Sequence, residues 1–204
     1  MKPQFPEIAG WLFDHEFLAL KQLAKGKVVL EIGAFQGRST VAFAQHAEYI
    51  VTMDHFGGDE FTEMVGSQLS REAVVEAFAR NTKPYMDKIT VIVSDMYKAM
   101  PFLNPKDFDV LFYDAGHTAE DAKFFCDWAL DARDDATIAI HDYKPNEEVW
   151  KPSAVVMDEY KIQTGRSTML VGSLFIATHE PIPHADLLGT EDHPYENIML
   201  DANV

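Results

Sequence analysis

KVVLEIGAFQGRST, residues 27–40, decides the fold. Lys27 to Ile32 is a short β-branched run that reads as a buried strand. Glycine ends it, and VAFAQHA at 41–47 carries on as a helix. Gly33 lets the chain turn tightly, and Gly37 lets backbone come close to a ligand or to the next helix. The spacing is G-x-x-x-G, not the G-x-G-x-x-G of dinucleotide sites. A strand–turn–helix unit is therefore better supported than a pyrophosphate cradle, and a tight turn alone needs no ligand.

The same alternation repeats outward. Upstream, residues 10–25 place Phe13, Phe17, Leu20 and Leu23 at helical spacing, with Asp14 as the expected N-cap and Gly26 as the stop. Downstream, strands are expected at 49–53, 89–93, 109–113 and 136–140. Helices are expected at 67–81 (apolar side Leu69, Val74, Val75, Phe78), 118–130 and 152–162. The last two strands, 167–171 and 172–178, are too close in sequence for a helical crossover, so they pair antiparallel. The fold class is α/β: a Rossmann-like, doubly wound, mostly parallel seven-stranded sheet with an antiparallel edge hairpin. Residues 1–179 read as a single domain whose helix 10–25 forms part of a cap. Residues 180–204, proline-containing and acidic, read as a tail or arm.

Composition narrows the function. The chain has 204 residues, 17 Lys+Arg, 33 Asp+Glu and a formal charge of −16. Such a surface argues against nucleic acid, which selects basic faces, and against anionic membranes. No apolar run approaches a membrane span, and the first residues carry no apolar signal core. The single cysteine, Cys126, excludes an internal disulfide and a thiolate zinc cage. It sits in an apolar helical stretch and reads as an inert buried thiol. A cytoplasmic protein is expected.

Ligands of doubly wound sheets bind beyond the carboxyl ends of the strands. Glu31, Asp54, Asp95, Asp114 and Asp142 all fall at or just past such an end. Asp54, 21 positions after Gly33, is placed to accept both hydroxyl protons of a ribose. Asp95 can accept from an adenine amino group. His117 and His141 are the candidate bases, since imidazole titrates near neutral pH. Either ring could instead pin a loop. Trp11, Phe35, Phe56 and Tyr143 are candidate pocket walls.

The ordered set EIGAFQGRST, TMDHF, VSDM, FDVLFYDAGH, IAIHDY and VGSLFIAT resembles the class I S-adenosylmethionine-dependent methyltransferases. Within them it is similar to the branch holding macrocin-type sugar O-methyltransferases and related small-molecule O-methyltransferases. The resemblance covers roughly residues 10–178. It implies S-adenosylmethionine as cofactor, held by Glu31, Gly33 and Gly37 at its methionine part, Asp54 at ribose, and Ser94 and Asp95 beside adenine. Ala34, Phe35, Ser39, His55 and Asp114 complete the expected cofactor wall. Metal-dependent relatives hold magnesium with acids on the fourth and fifth strands, which here are Asp114 and Asp142. His141 replaces the other acid, and nitrogen suits manganese better than magnesium. Many relatives carry Asp-Gly-Asp-His where this chain has Asp114-Ala-Gly-His117, so a carboxylate is missing.

The expected reaction is methyl transfer to a hydroxyl of a small molecule, with Asp114, His117 and His141 as the catalytic residues. The alternatives are an NAD-dependent oxidoreductase on a similar sheet and a cofactor-binding protein without turnover. The terminal hairpin offers edges for a homodimer.

Overall fold

The computed structural model describes residues 7–58, 69–183 and 186–187. The first two residues of the helix expected at 67–81 and most of the acidic tail lie outside them. The strands are β1 (Val28–Ile32), β2 (Tyr49–Asp54), β3 (Ile89–Val93), β4 (Val110–Tyr113), β5 (Thr137–Ile140), β6 (Ser167–Val171) and β7 (Leu174–Thr178). The helices are α1 (Asp14–Leu23), α2 (Arg38–Ala44), α3 (Arg71–Thr82), α4 (Met96–Ala99), α5 (Ala119–Ala129) and α6 (Lys151–Thr164).

The strands make one sheet in the order β3-β2-β1-β4-β5-β7-β6. β1 to β5 run parallel, β7 is antiparallel to β5, and β6 pairs antiparallel with β7. The hairpin expected from the short Gly172 linkage thus forms the edge, and β7 is the reversed strand within it.

Both faces of the sheet are covered, which is why its strands read as continuous apolar runs rather than alternating ones. On one face Val29, Ile50, Phe112, Ala139 and Ile176 pack with Phe17 and Leu20 of α1 and Phe43 of α2. On the other, Leu30, Ile32, Leu111, Ile138 and Ile140 pack with Phe125 of α5 and Met157 of α6. Cys126 is buried in that second layer. Burial pushes its thiol up to about 12, so it is no nucleophile at neutral pH. Leu187, within the segment expected as a tail, is buried against the first layer.

Two helix starts differ from expectation. α1 has Phe13 at the N-cap position, and its amide donates to Glu16 Oε2 at 2.8 Å. Asp14 instead pairs with the guanidinium of Arg38 at 2.8 Å. α3 starts at Arg71, capped by Ser70 Oγ, which accepts from Ala73 N. Val74 and Phe78 are buried while Leu69 and Val75 stay exposed.

The order reverses between β1 and β4, the switch point at which such sheets open a crevice. Sheet hydrogen bonds run on past the strands to the rim. Gly33 N donates to Met53 O at 2.8 Å, Asp114 N to Ile32 O at 2.8 Å, and His141 N to Tyr113 O at 2.9 Å. The residues after each strand are therefore held level with one another.

Candidate active site

A cavity of about 320 Å³ opens at this rim. It is the size of a small-molecule site. Gly33, Ala34, Phe35, Ser39, Asp54, His55, Ser94, Asp95, Asp114, His117 and Asp142 all line it. Five aspartates, including Asp121, give the wall a negative character. Residues 9–12 close one side. Arg38 holds that segment by donating to Ile8 O, Leu12 O and Asp14 Oδ1. Trp11 of the segment lies 5.2 Å from Phe35, ring centre to ring centre.

The turn after β1 depends on missing side chains. Gly33 has φ +93°, and a Cβ there would run into the carbonyl of Asp114. The close approach of β1 and β4 at the switch point requires glycine. Gly37, at φ +88°, packs against Phe78 and Thr82 of α3, where a Cβ would lie 3.2 and 3.0 Å from them. Of the two uses the sequence allowed for Gly37, helix packing is the one realised, and the residue does not line the cavity.

Asp54 organises the turn. Its Oδ2 accepts from the amides of Ala34 and Phe35, each at 2.8 Å, and its Oδ1 from the amide of Phe56 at 2.6 Å. A carboxylate has about four lone-pair positions, so three are already in use. The two-oxygen grip on a ribose is thereby corrected to a single remaining acceptor position on Oδ1. The clamp also explains why Phe35 and Phe56 adopt φ of +46° and +56°. His55 Nδ1 accepts from Gly57 N at 2.9 Å, which puts the ring proton on Nε2 as a donor.

Glu31 lies beneath the wall, fully buried. Thr40 and Thr52 donate to its Oε2 at 2.6 Å each, and Oε1 has no hydrogen-bond partner among the described residues. Burial pushes this carboxyl up to about 7 against the hydroxyls of Ser39, Thr40 and Thr52, with Asp114 adding to the rise. The expected contact of Glu31 with a cofactor is corrected: its side chain supports β1, β2 and α2 from below. At the end of β3, Asp95 caps α4 by accepting from Tyr97 N at 2.9 Å and lines the cavity as well. Tyr97 donates to Asp121 Oδ1 at 2.7 Å on the same side.

The ends of β4 and β5 hold the charged cluster. His141 is almost fully buried and does not line the cavity. Its Nε2 is 3.2 Å from Glu16 Oε2, and Ser173 donates to Glu16 Oε1 from both N (2.8 Å) and Oγ (2.9 Å). Its Nδ1 faces Asp114 Oδ1 at 3.3 Å and Asp142 Oδ2 at 3.4 Å, an electrostatic contact without hydrogen-bond alignment. Burial alone would push this imidazolium's pKa down, but Asp114, Asp142 and Glu16 outweigh it and hold it well above 6.5. His141 as a base is therefore corrected: it is a buried cation that ties three carboxylates together.

His117 fits the base role better. It lines the cavity, its ring packs edge-on to Trp150 at 4.7 Å, and its Nε2 is 3.4 Å from Asp142 Oδ2. Asp142 adopts φ +61°, and Lys144 Nζ lies 2.6 Å from its Oδ1. Burial would raise the Asp142 pKa, but His117, His141 and Lys144 hold it far below the usual range. Asp114, His117 and Asp142 each offer an atom within 4.8 Å of the others, a donor set of metal-site outline. It fits a resident divalent ion poorly, because the Lys144 ammonium already holds Asp142 Oδ1 at 2.6 Å, a like charge beside any ion bound there.

Glu16, Lys144, Arg38 and Trp150 escaped the sequence reading. Glu16 did carry a signal, since it falls on the apolar stripe of α1 between Leu12 and Leu20. Lys144 carried none beyond its closeness to Asp142.

A profile of the family described as "Methyltransferase domain" matches residues 30–143. A search of curated protein sequences finds no match. Among solved structures, cofactor-bound Rv0187 from MTB is similar, with 21% identity over 87% of this chain and 85% of that one and a TM-score of 0.61. An O-methyltransferase from Bacillus cereus in complex with SAH shares 17% identity over 85% and 84%, with a TM-score of 0.58. The O-methyltransferase TomG from Streptomyces achromogenes, involved in tomaymycin synthesis and solved with SAM, shares 18% over 86% and 83%, with a TM-score of 0.56. At these identities the likeness is one of fold.

Proposed function

The chain belongs to the methyltransferase-domain family, and on that footing we propose that it moves the methyl group of S-adenosylmethionine to a hydroxyl of a small molecule in the cytoplasm. The cavity at the β1/β4 switch point carries this reading, because it joins an Asp54-clamped glycine turn to a histidine and an acidic wall in one space. S-adenosylmethionine supplies an electrophilic methyl carbon on a sulfonium, and its leaving group is already good.

What the chain must add is binding, alignment and removal of a proton. Asp54 keeps an acceptor position on Oδ1 for a ribose hydroxyl, and His55 Nε2–H adds a donor beside it. Ser94 and Asp95 border the base. Asp95, Asp114 and Asp142 attract a positive sulfur in a cleft whose apolar walls weaken solvent screening. The faces of Trp11 and Phe35 add to that attraction. His117 takes the hydroxyl proton, with Asp142 stabilising the imidazolium that results. Alignment of oxygen, carbon and sulfur supplies the larger share, roughly 7–11 kcal/mol in well-oriented systems.

The NAD alternative needed a pyrophosphate-binding turn, and the family of this chain is a different one. Calorimetry with S-adenosylmethionine, S-adenosylhomocysteine and NAD tests the reading directly. The first two bind and NAD does not displace them. A panel of hydroxyl compounds then releases S-adenosylhomocysteine on turnover. Failure of the wild-type chain to bind either sulfur nucleoside would end the methylation reading. Binding without release by any member of a broad panel would favour a protein that holds the cofactor without turnover.

A further inference from the structure

We propose that the ammonium of Lys144 is the built-in cation of this rim, occupying the role a divalent ion would take among Asp114, His117 and Asp142. This rests on the methyl-transfer reading for its chemistry but not for its geometry. Lys144 Nζ lies 2.6 Å from Asp142 Oδ1, and the other oxygen of Asp142 faces His117 Nε2 and His141 Nδ1 at 3.4 Å each. Both oxygens thus already face nitrogen. A magnesium ion at its usual ~2.1 Å from Oδ1 would come no farther than ~4.7 Å from Nζ, two cations sharing one carboxylate oxygen.

Lys144 is not a wandering surface side chain. Its Nζ sits 4.5 Å over the ring of Trp150, which is itself buried. The backbone leading into it is fixed too. Asp142 takes a left-handed conformation at φ +61°, and Tyr143 N donates to Ser173 O at 2.9 Å. Trp150 also meets the ring of His117, so one indole sets the positions of the candidate base and the cation. An ammonium has three protons. With one on Asp142, others are left for the cavity that Lys144 lines, where they can meet the acceptor oxygen as negative charge develops on it. A metal-bound site would do the same work as a Lewis acid.

The decisive experiment titrates Mn²⁺ alone into the full chain, followed by calorimetry and electron paramagnetic resonance. Wild type, Asp142→Asn, Lys144→Met, Lys144→Gln, Lys144→Arg and the double variant Lys144→Met/Asp142→Asn are compared. Wild type and Lys144→Arg bind Mn²⁺ only at millimolar levels. Lys144→Met gains affinity by roughly 10–100-fold, the scale of changes in the shell around a metal, with an altered Mn²⁺ spectrum. The double variant loses that gain. Lys144→Gln serves the same purpose if the Met variant melts early. Micromolar Mn²⁺ binding by wild type that Asp142→Asn abolishes would overturn the proposal, as would no gain in either neutral variant. Binding of S-adenosylhomocysteine to wild type is measured alongside. Its failure counts against the methylation reading, while the Mn²⁺ arm still decides Lys144.

Discussion

The carboxylate of Glu16, in the first helix, lies 3.2 Å from Nε2 of His141, at the end of the fifth strand, and both side chains are buried. The pair joins segments 125 residues apart. It also fixes a third element, since Gly172 is packed so closely on His15 and Glu16 that a Cβ would collide with both. Through His141 the charge of Glu16 is felt at Asp114 and Asp142, which line the cavity.

Glu16→Ala should therefore act on stability first. Fully orphaning a buried charge typically costs about 3–5 kcal/mol, and the loss here should fall toward the lower end because Asp114 and Asp142 still face His141. Urea unfolding near pH 6 measures it, and a loss below about 1 kcal/mol would contradict a charged His141. The pH dependence follows from the two shifts. The Glu16 pKa is lowered below 4.5, because His141 and the amides of Phe13 and Ser173 outweigh burial. Its contribution is present above that value and lost as pH falls through the lowered one. The His141 pKa is raised above 6.5, so its contribution is full below 6.5 and fades as pH rises toward the raised value. The pair is worth most between pH 4.5 and 6.5, so Glu16→Ala should cost most in that window and flatten the slopes of the wild-type profile below 4.5 and above 6.5.

Glu31→Gln should do the opposite of most buried substitutions. This carboxyl is raised from 4.5 to about 7, chiefly by burial, so its ionised form is a burden in the folded chain. Folding holds the proton more tightly than the unfolded state does, and stability falls as pH rises between those two values. At pH 8 the neutral amide should gain roughly 3 kcal/mol over wild type, and at pH 4 little. Unfolding curves at the two pH values check it, and equal effects at both would remove the titration argument.

The sheet was legible because its signal is local. Each parallel strand is a short apolar run, and four of the five lead into a polar residue at the rim, Asp54, Ser94, Asp114 or His141, while β1 leads into Gly33. The edge hairpin was legible from chain length alone, since Gly172 and its neighbours leave no room for a crossover. Roles were harder to read, because a residue type does not say what has already claimed its lone pairs. Asp54 was read as a ribose acceptor, yet three of its positions are taken by the amides of Ala34, Phe35 and Phe56. The sequence offers His141 as a base, yet its ring is buried against Glu16, 125 positions away. Such pairings follow from tertiary approach and leave no spacing in the sequence.

Asp54→Asn separates the clamp from mere shape. The amide keeps one acceptor oxygen and turns the other atom into a donor, which then faces a backbone N–H. At least one charge-assisted bond is lost, at about 1.5–3 kcal/mol, and the β1–α2 turn loosens. Calorimetry with S-adenosylhomocysteine should show at least about tenfold weaker binding, equal to roughly 1.4 kcal/mol. Asp54→Ala should abolish it. Unchanged affinity in the alanine variant would show that neither the clamp nor the remaining Oδ1 position serves the ligand.

Gly33→Ala and Gly165→Ala compare two glycines of similar backbone and different surroundings. Gly165 ends α6 at φ +64° with nothing near its would-be Cβ, so alanine there carries only left-handed strain, about 1–2 kcal/mol. Gly33, at φ +93°, adds a collision with the carbonyl of Asp114. Relief must come from parting β1 and β4 at the switch point, where the Asp114 N–H bond to Ile32 holds them at 2.8 Å. The expected loss is roughly 3 kcal/mol or more, since strain and a broken ladder bond add. Thermal melts rank the two variants. Affinity for S-adenosylhomocysteine gives an independent reading, because Gly33→Ala moves Asp114 within the cavity wall and Gly165→Ala touches nothing there. Equal melting temperatures for the two would mean that the sheet yields at its switch point without cost, and the rim would then be a looser scaffold than its hydrogen bonds imply.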